Sequence, residues 1–77
     1  MRSRDKQVLL RLHRKVLEGY GALAERDALL LEYHLDRGVT QTELAAVLDA
    51  EYPGSMSRNG MQKLLTRERA RENGNGS

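Results

Sequence analysis

Asn59, Gln62 and Lys63 stand close together in the chain, flanked by Arg58 and Thr66. Each is a residue type that reads nucleic-acid bases. An Asn or Gln amide offers a donor and an acceptor side by side, which matches an adenine edge. Arg and Lys reach the guanine acceptors, and Thr bonds either kind of edge. At helical spacing, positions 58, 59, 62, 63 and 66 fall on one side. The same stretch carries Ser57 at its start and Arg67, Arg69 and Arg71 at its end. Such groups suit phosphate oxygens, which position a protein on a duplex without specifying sequence. A second basic row, Arg4, Arg11 and Lys15, lies near the N-terminus. It is open to two readings: secondary phosphate contacts, or partners for Glu25, Glu32 and Asp36.

Bond-breaking chemistry has little to work with. The chain has no cysteine and two histidines, so it offers no thiolate zinc site and no metal cage from His alone. Glu32-Tyr33-His34 lacks the i, i+3 or i, i+4 separation that puts ligands on one helical face. His13 and His34 read as packing or surface residues. Ser55 and Ser57 have no base and orienter in sight and read as caps. Gly19, Gly21, Gly54 and Gly60 follow no strand, so they do not read as a phosphate-cradling loop. Gly60, odd inside a helix, is expected where backbone approaches DNA or the third helix closely. No catalytic residue, metal or cofactor is expected; the chain does not read as an enzyme.

The elements that position these residues are helices. Among 77 residues the apolar set is dominated by Leu and Ala, with no Phe or Trp, a palette of helix formers. No apolar run is long enough to cross a membrane, so a cytoplasmic location is expected. The net charge of +2 hides a segregation: residues 1–15 carry +5, residues 16–55 carry −6, and residues 56–77 carry +3. A polyanion would then meet particular elements and not the whole surface.

Periodicity predicts four helices in a single domain over 1–72, followed by a disordered tail at 73–77. The first runs from about Ser3, its expected N-cap, to Glu18, with Val8, Leu9, Leu12, Val16 and Leu17 as the apolar set. The second spans about Leu23 to Arg37, with Glu25 and Asp27 favouring its positive end and Ala28, Leu31 and Leu35 as one stripe. Gly38 and Val39 read as a Schellman-type stop. Thr40 and Glu43 fit a capping box for a third helix ending near Ala50 or Glu51. The fourth spans about 57–72, with Met61, Leu64 and Leu65 opposite Asn59, Gln62, Lys63 and Thr66.

Residues 40–71 thus read as a helix-turn-helix, with Ala45 at the crossing and Leu44, Leu48, Met61 and Leu65 as the seam. Residues 22–71 resemble region 4 of bacterial sigma factors and related small regulators. The likeness rests on Leu23-Ala24-Glu25-Arg26-Asp27-Ala28-Leu29-Leu30-Leu31, on Thr40-Gln41-Thr42-Glu43-Leu44-Ala45-Ala46-Val47-Leu48, and on Ser57-Arg58-Asn59-Gly60-Met61 leading into an arginine-rich end. Where that family has a tight turn, this chain carries Asp49 to Met56, as a longer third helix or a longer loop. Periodicity and this resemblance together imply an all-α, four-helix domain with a C-terminal helix-turn-helix and a stand-alone transcriptional regulator, a phage or plasmid type being one option. Its partner would be double-stranded DNA, bound as a homodimer. The alternative is an interaction module that binds RNA polymerase or a sigma/anti-sigma-type regulator through its acidic, leucine-rich middle.

Overall fold

The computed structural model describes the backbone of residues 1–75 and the side chains of residues 1–72. It is all-helical: α1 (Ser3–Leu17), α2 (Leu23–Asp36), α3 (Gln41–Glu51) and α4 (Arg58–Asn75). None of these helices is long and apolar enough to cross a membrane. The fourth continues through Asn73 to Asn75, where a structureless tail was expected. Gly76 and Ser77, also expected to be disordered, lie outside the described residues.

One core joins all four helices. Leu9 of α1 and Leu30, Leu31 and Tyr33 of α2 meet Leu44, Ala45 and Leu48 of α3 and Met61, Leu64 and Leu65 of α4, with Val39 from the α2–α3 connection. The expected α3–α4 seam is therefore buried in full. On α1 the expected apolar set is mostly peripheral. Leu9 is buried, while Val8 and Leu17 are exposed. The other fully buried side chain on that face is His13.

The inward face of α2 differs from the predicted stripe. Arg26, Asp27, Leu30, Leu31 and Tyr33 point inward, and Ala28 and Leu35 are exposed. Positions 26, 30 and 33, with 27 and 31 beside them, form one face at i, i+4 and i+7. Two charged residues occupy it, so a pattern drawn from apolar residues alone is rotated away from the true face. Asp27 is accordingly a buried ion-pair partner, not a group serving the helix dipole.

The helix ends follow local chemistry. Arg2, not Ser3, is the N-cap of α1, and its side chain makes no capping bond. Gly38 adopts φ +67°, which an L side chain rarely tolerates, and so turns the chain out of α2. The Val39 amide then donates to the Tyr33 carbonyl at 3.1 Å, one residue further back than in a Schellman pairing. Thr40 Oγ1 accepts from the Glu43 amide at 3.1 Å, so the cap of α3 forms. The reciprocal half of the capping box does not; the Glu43 carboxylate instead faces the Met1 ammonium at 3.4 Å. The segment between α3 and α4 is the longer-loop alternative. The Gly54 amide donates to Asp49 Oδ1 at 2.8 Å, and the Ser55 amide to the Tyr52 carbonyl at 3.0 Å.

Candidate nucleic-acid interface

Ser57 opens α4. Its Oγ accepts from the Gly60 amide at 2.9 Å, and its carbonyl from the Met61 amide at 2.9 Å. The Ser57 hydroxyl thus accepts one bond as a cap, and its proton remains to meet an acceptor such as a phosphate oxygen. A Cβ at Gly60 would stand 3.1 Å from Ser57 Oγ and 3.5 Å from Met56 Sδ. The close approach expected at this glycine is to its own cap, not to α3.

From that start the helix divides into two faces. Met61, Leu64 and Leu65 are buried; Arg58, Asn59, Gln62, Lys63 and Thr66 are exposed. Among the described residues none of these five side chains forms a hydrogen bond or ion pair within the chain. Arg69 is likewise exposed and unpaired. The acid Glu68 sits on the inward side, 6% exposed, so it does not interrupt the basic outer face.

Two of the predicted phosphate contacts are already engaged. Arg67 donates from Nη2 to Asp27 Oδ2 at 3.0 Å, although more than half of its side chain is exposed. Arg71 stands 3.4 Å from Glu68 Oε1, but that oxygen has no aligned hydrogen bond. The α1 row of Arg4, Arg11 and Lys15 is exposed. It forms no ion pair with Glu25, Glu32 or Asp36 among the described residues. Its neighbour Arg14 is bound to Glu18 at 2.7 Å.

Behind the interface lies a buried polar chain that sequence reading did not find. Asp27 Oδ1 accepts from Arg26 Nε at 3.0 Å and from Arg26 Nη2 at 2.8 Å. Arg26 Nη1 lies 3.2 Å from His13 Nδ1, and His13 Nε2 lies 2.8 Å from Ser55 Oγ. A guanidinium can only donate, so His13 Nδ1 must accept and the ring proton must sit on Nε2, donating to Ser55. Burial first, and then the Arg26 charge, hold the His13 imidazole below its usual pKa range and so neutral. The His13 ring also meets the Tyr52 ring edge-on, with centroids 5.6 Å apart.

This tautomer decides what the cluster can do. A serine nucleophile needs a histidine acceptor facing its hydroxyl, with a carboxylate holding the far nitrogen. Here the histidine donates to Ser55 and a cation holds the far nitrogen. Ser55 is therefore a structural acceptor and neither a nucleophile nor a cap. The sequence signal that could have led to the chain is Arg26-Asp27 itself, at positions that continue the Leu30 and Tyr33 face.

A lesser polar set ties α1 to the end of α2. Arg37 pairs with Asp5 and lies over the Tyr33 ring, 5.1 Å from its centroid. The Tyr33 hydroxyl donates to the Asp5 carbonyl at 3.3 Å, and burial pushes its pKa up. No family model matches this sequence, and no curated protein or solved structure matches it either.

Proposed function

We propose that the chain is a sequence-specific double-stranded DNA-binding transcriptional regulator, with α3 and α4 acting as a helix-turn-helix and α4 in the major groove. The observation that carries this reading is the outer face of α4. Arg58, Asn59, Gln62, Lys63 and Thr66 are exposed, and unpaired among the described residues, on a helix whose opposite face is fixed by buried Met61, Leu64 and Leu65. Folding leaves these side chains free, and their chemistry is that of base readout. In this reading Ser57 and Arg69 meet phosphates, with Arg67 and Arg71 following if their intramolecular pairs yield. Arg4, Arg11 and Lys15, which form no ion pair among the described residues, serve as secondary phosphate contacts.

One helix reads few base pairs, so the working form is a homodimer on a palindrome. Exposed Leu17 and Leu23 flank the α1–α2 turn and Leu35 lies further along α2, leaving apolar surface for the interface. The deciding experiment is titration of the protein into a selected duplex and a random duplex at several salt concentrations. A DNA binder loses affinity steeply with salt, by about 0.9 log units per phosphate contact for each tenfold rise. Absence of binding to either duplex at low salt would overturn the reading.

A second reading draws on a different observation. An open cleft of about 570 Å³ between α2 and α4 is lined by Ala24, Ala28, Leu31 and Leu35, with Glu32, Asp36 and Glu72 among its acids. This surface suits the alternative, an interaction module for RNA polymerase or a sigma/anti-sigma-type regulator. Such a module would bind random duplex weakly at every salt concentration.

A further inference from the structure

The outer face of α4 is only as well placed as the helix that carries it. Packing on α3 is one constraint. The other is polar: Asp27 holds Arg67 in the middle of α4 and, through Arg26 and His13, holds Ser55 in the segment leading into α4. The chain spans α1, α2, the α3–α4 segment and α4, and its centre is buried.

We propose that His13, Arg26 and Asp27 are positioning residues for the DNA-reading face of α4, and that a proton added to His13 releases the hold. This rests on the DNA-binding reading above. The balance is simple. Neutral His13 accepts at Nδ1 from Arg26 and donates at Nε2 to Ser55. Protonated His13 carries a hydrogen at Nδ1 and a positive charge, both facing the Arg26 guanidinium at 3.2 Å. Two donors of like charge cannot hold that contact, so His13 and Arg26 must separate.

The groups around His13 give the proton no other counter-charge. From α2 it meets Arg26, whose charge is satisfied by Asp27; from the α3–α4 segment it meets Ser55 and the edge of Tyr52. From α4, Arg67 reaches the cluster only through Asp27, and it is a second cation. Protonated His13 still donates from Nε2 to Ser55 and Arg26 still binds Asp27, so their separation carries Ser55 away from Asp27 and Arg67. One end of this chain lies in α4 at Arg67, and the other at Ser55 in the segment that leads into it.

The expected effect runs opposite to simple electrostatics. Protonating a basic protein ordinarily strengthens its grip on DNA, because positive charge is added. Here acidification should lower the preference for a selected duplex over a random one, while affinity for the random duplex holds or rises. The experiment is fluorescence anisotropy on both duplexes between about pH 8 and pH 5 at fixed salt, where histidine changes charge. Circular dichroism at each pH confirms that the protein is folded. His13→Gln retains one acceptor and one donor but cannot titrate, so its preference should stay flat. An unchanged preference in the parent, or an equal loss in His13→Gln, overturns the proposal.

The positioning itself is measured without DNA, which separates its failure from failure of the DNA-binding reading. In amide chemical-shift titrations, resonances of Ser57 to Gly60 and around Arg67 should move with the same midpoint as the His13 ring. If the shifts stop at α1 and α2, the chain does not position α4 and the proposal fails. This holds even where no duplex binds.

Discussion

Arg67 of α4 donates a 3.0 Å hydrogen bond to Asp27 of α2, a contact between residues 40 positions apart. Asp27 is buried and binds Arg26 with its other oxygen, so it compensates two cations at once. Removing the carboxylate leaves buried Arg26 uncompensated. Asp27→Leu should therefore destabilise the fold by about 3–5 kcal/mol in urea unfolding. Arg67→Met should cost far less, because Arg67 is more than half exposed and Asp27 keeps Arg26. Equal losses in the two variants would show that the Asp27–Arg67 contact, not Arg26, dominates.

His13 makes stability depend on pH. Its folded-state pKa lies below 6.5, its ordinary value, so the unfolded chain takes up the proton first. The stability contributed by the neutral ring is present above pH 6.5 and is lost as pH falls through the folded-state pKa. Urea midpoints should drop on acidification from about pH 7.5 to pH 5 in the parent and drop less in His13→Gln. Parallel curves for the two proteins would remove His13 from the titration.

Thr40 tests the start of α3. Its Oγ1 accepts from the Glu43 amide, and Thr40→Ala leaves that donor without a partner. A loss of about 0.5–2 kcal/mol is expected. Since Glu43 returns no bond to Thr40, Glu43→Ala should affect stability little. A large loss for Glu43→Ala would show that its contact with the Met1 ammonium matters more than the cap.

Leu65, 3% exposed, anchors the inner face of α4. Truncation to Ala should destabilise by about 2–5 kcal/mol, a large share of what so small a domain possesses. Thermal melting of Leu65→Ala against the parent measures it. An unchanged melt would undo the division of α4 into an inner and an outer face.

On that outer face, reading and grip should separate. Asn59→Ala or Gln62→Ala should weaken binding to a selected duplex by about 1–3 kcal/mol and relax preference at one or two base pairs. Arg69→Ala should weaken every duplex alike and reduce the salt slope by about one unit. Titrations on selected and scrambled duplexes distinguish the two patterns. Equal losses of Asn59→Ala on both duplexes would mean that Asn59 touches no base.

The parts of this fold legible in the sequence are those set by local chemistry. Thr40 marks the start of α3, Gly38 the end of α2, and Leu44, Leu48, Met61 and Leu65 recur at a spacing that only a packed helix pair satisfies. The parts that escaped are those where polar residues are buried. Arg26 and Asp27 look like solvated charges until Arg67 and His13 are seen beside them, and those partners come from distant segments. Their presence on the inner face of α2 also explains why an apolar stripe through Ala28 and Leu35 misses that face. On α1 the same effect hides His13, whose partner Ser55 lies 42 positions away. For the candidate site, exposure of positions 58, 59, 62, 63 and 66 followed from the periodicity of α4. The engagement of Arg67 and Arg71 did not, because an ion pair depends on what the neighbouring helix presents.

If α4 reads DNA as proposed, the five exposed side chains on its outer face also bear on how readily this protein could acquire new targets. None of them is buried or paired among the described residues, so replacements other than Gly or Pro should alter stability by no more than about 0.5 kcal/mol each. A library randomised at 58, 59, 62, 63 and 66 would therefore be dominated by folded members, and selection on it would act on recognition alone. Position 60 is more constrained, because a Cβ there would stand 3.1 Å from Ser57 Oγ and the cap would have to shift to admit it.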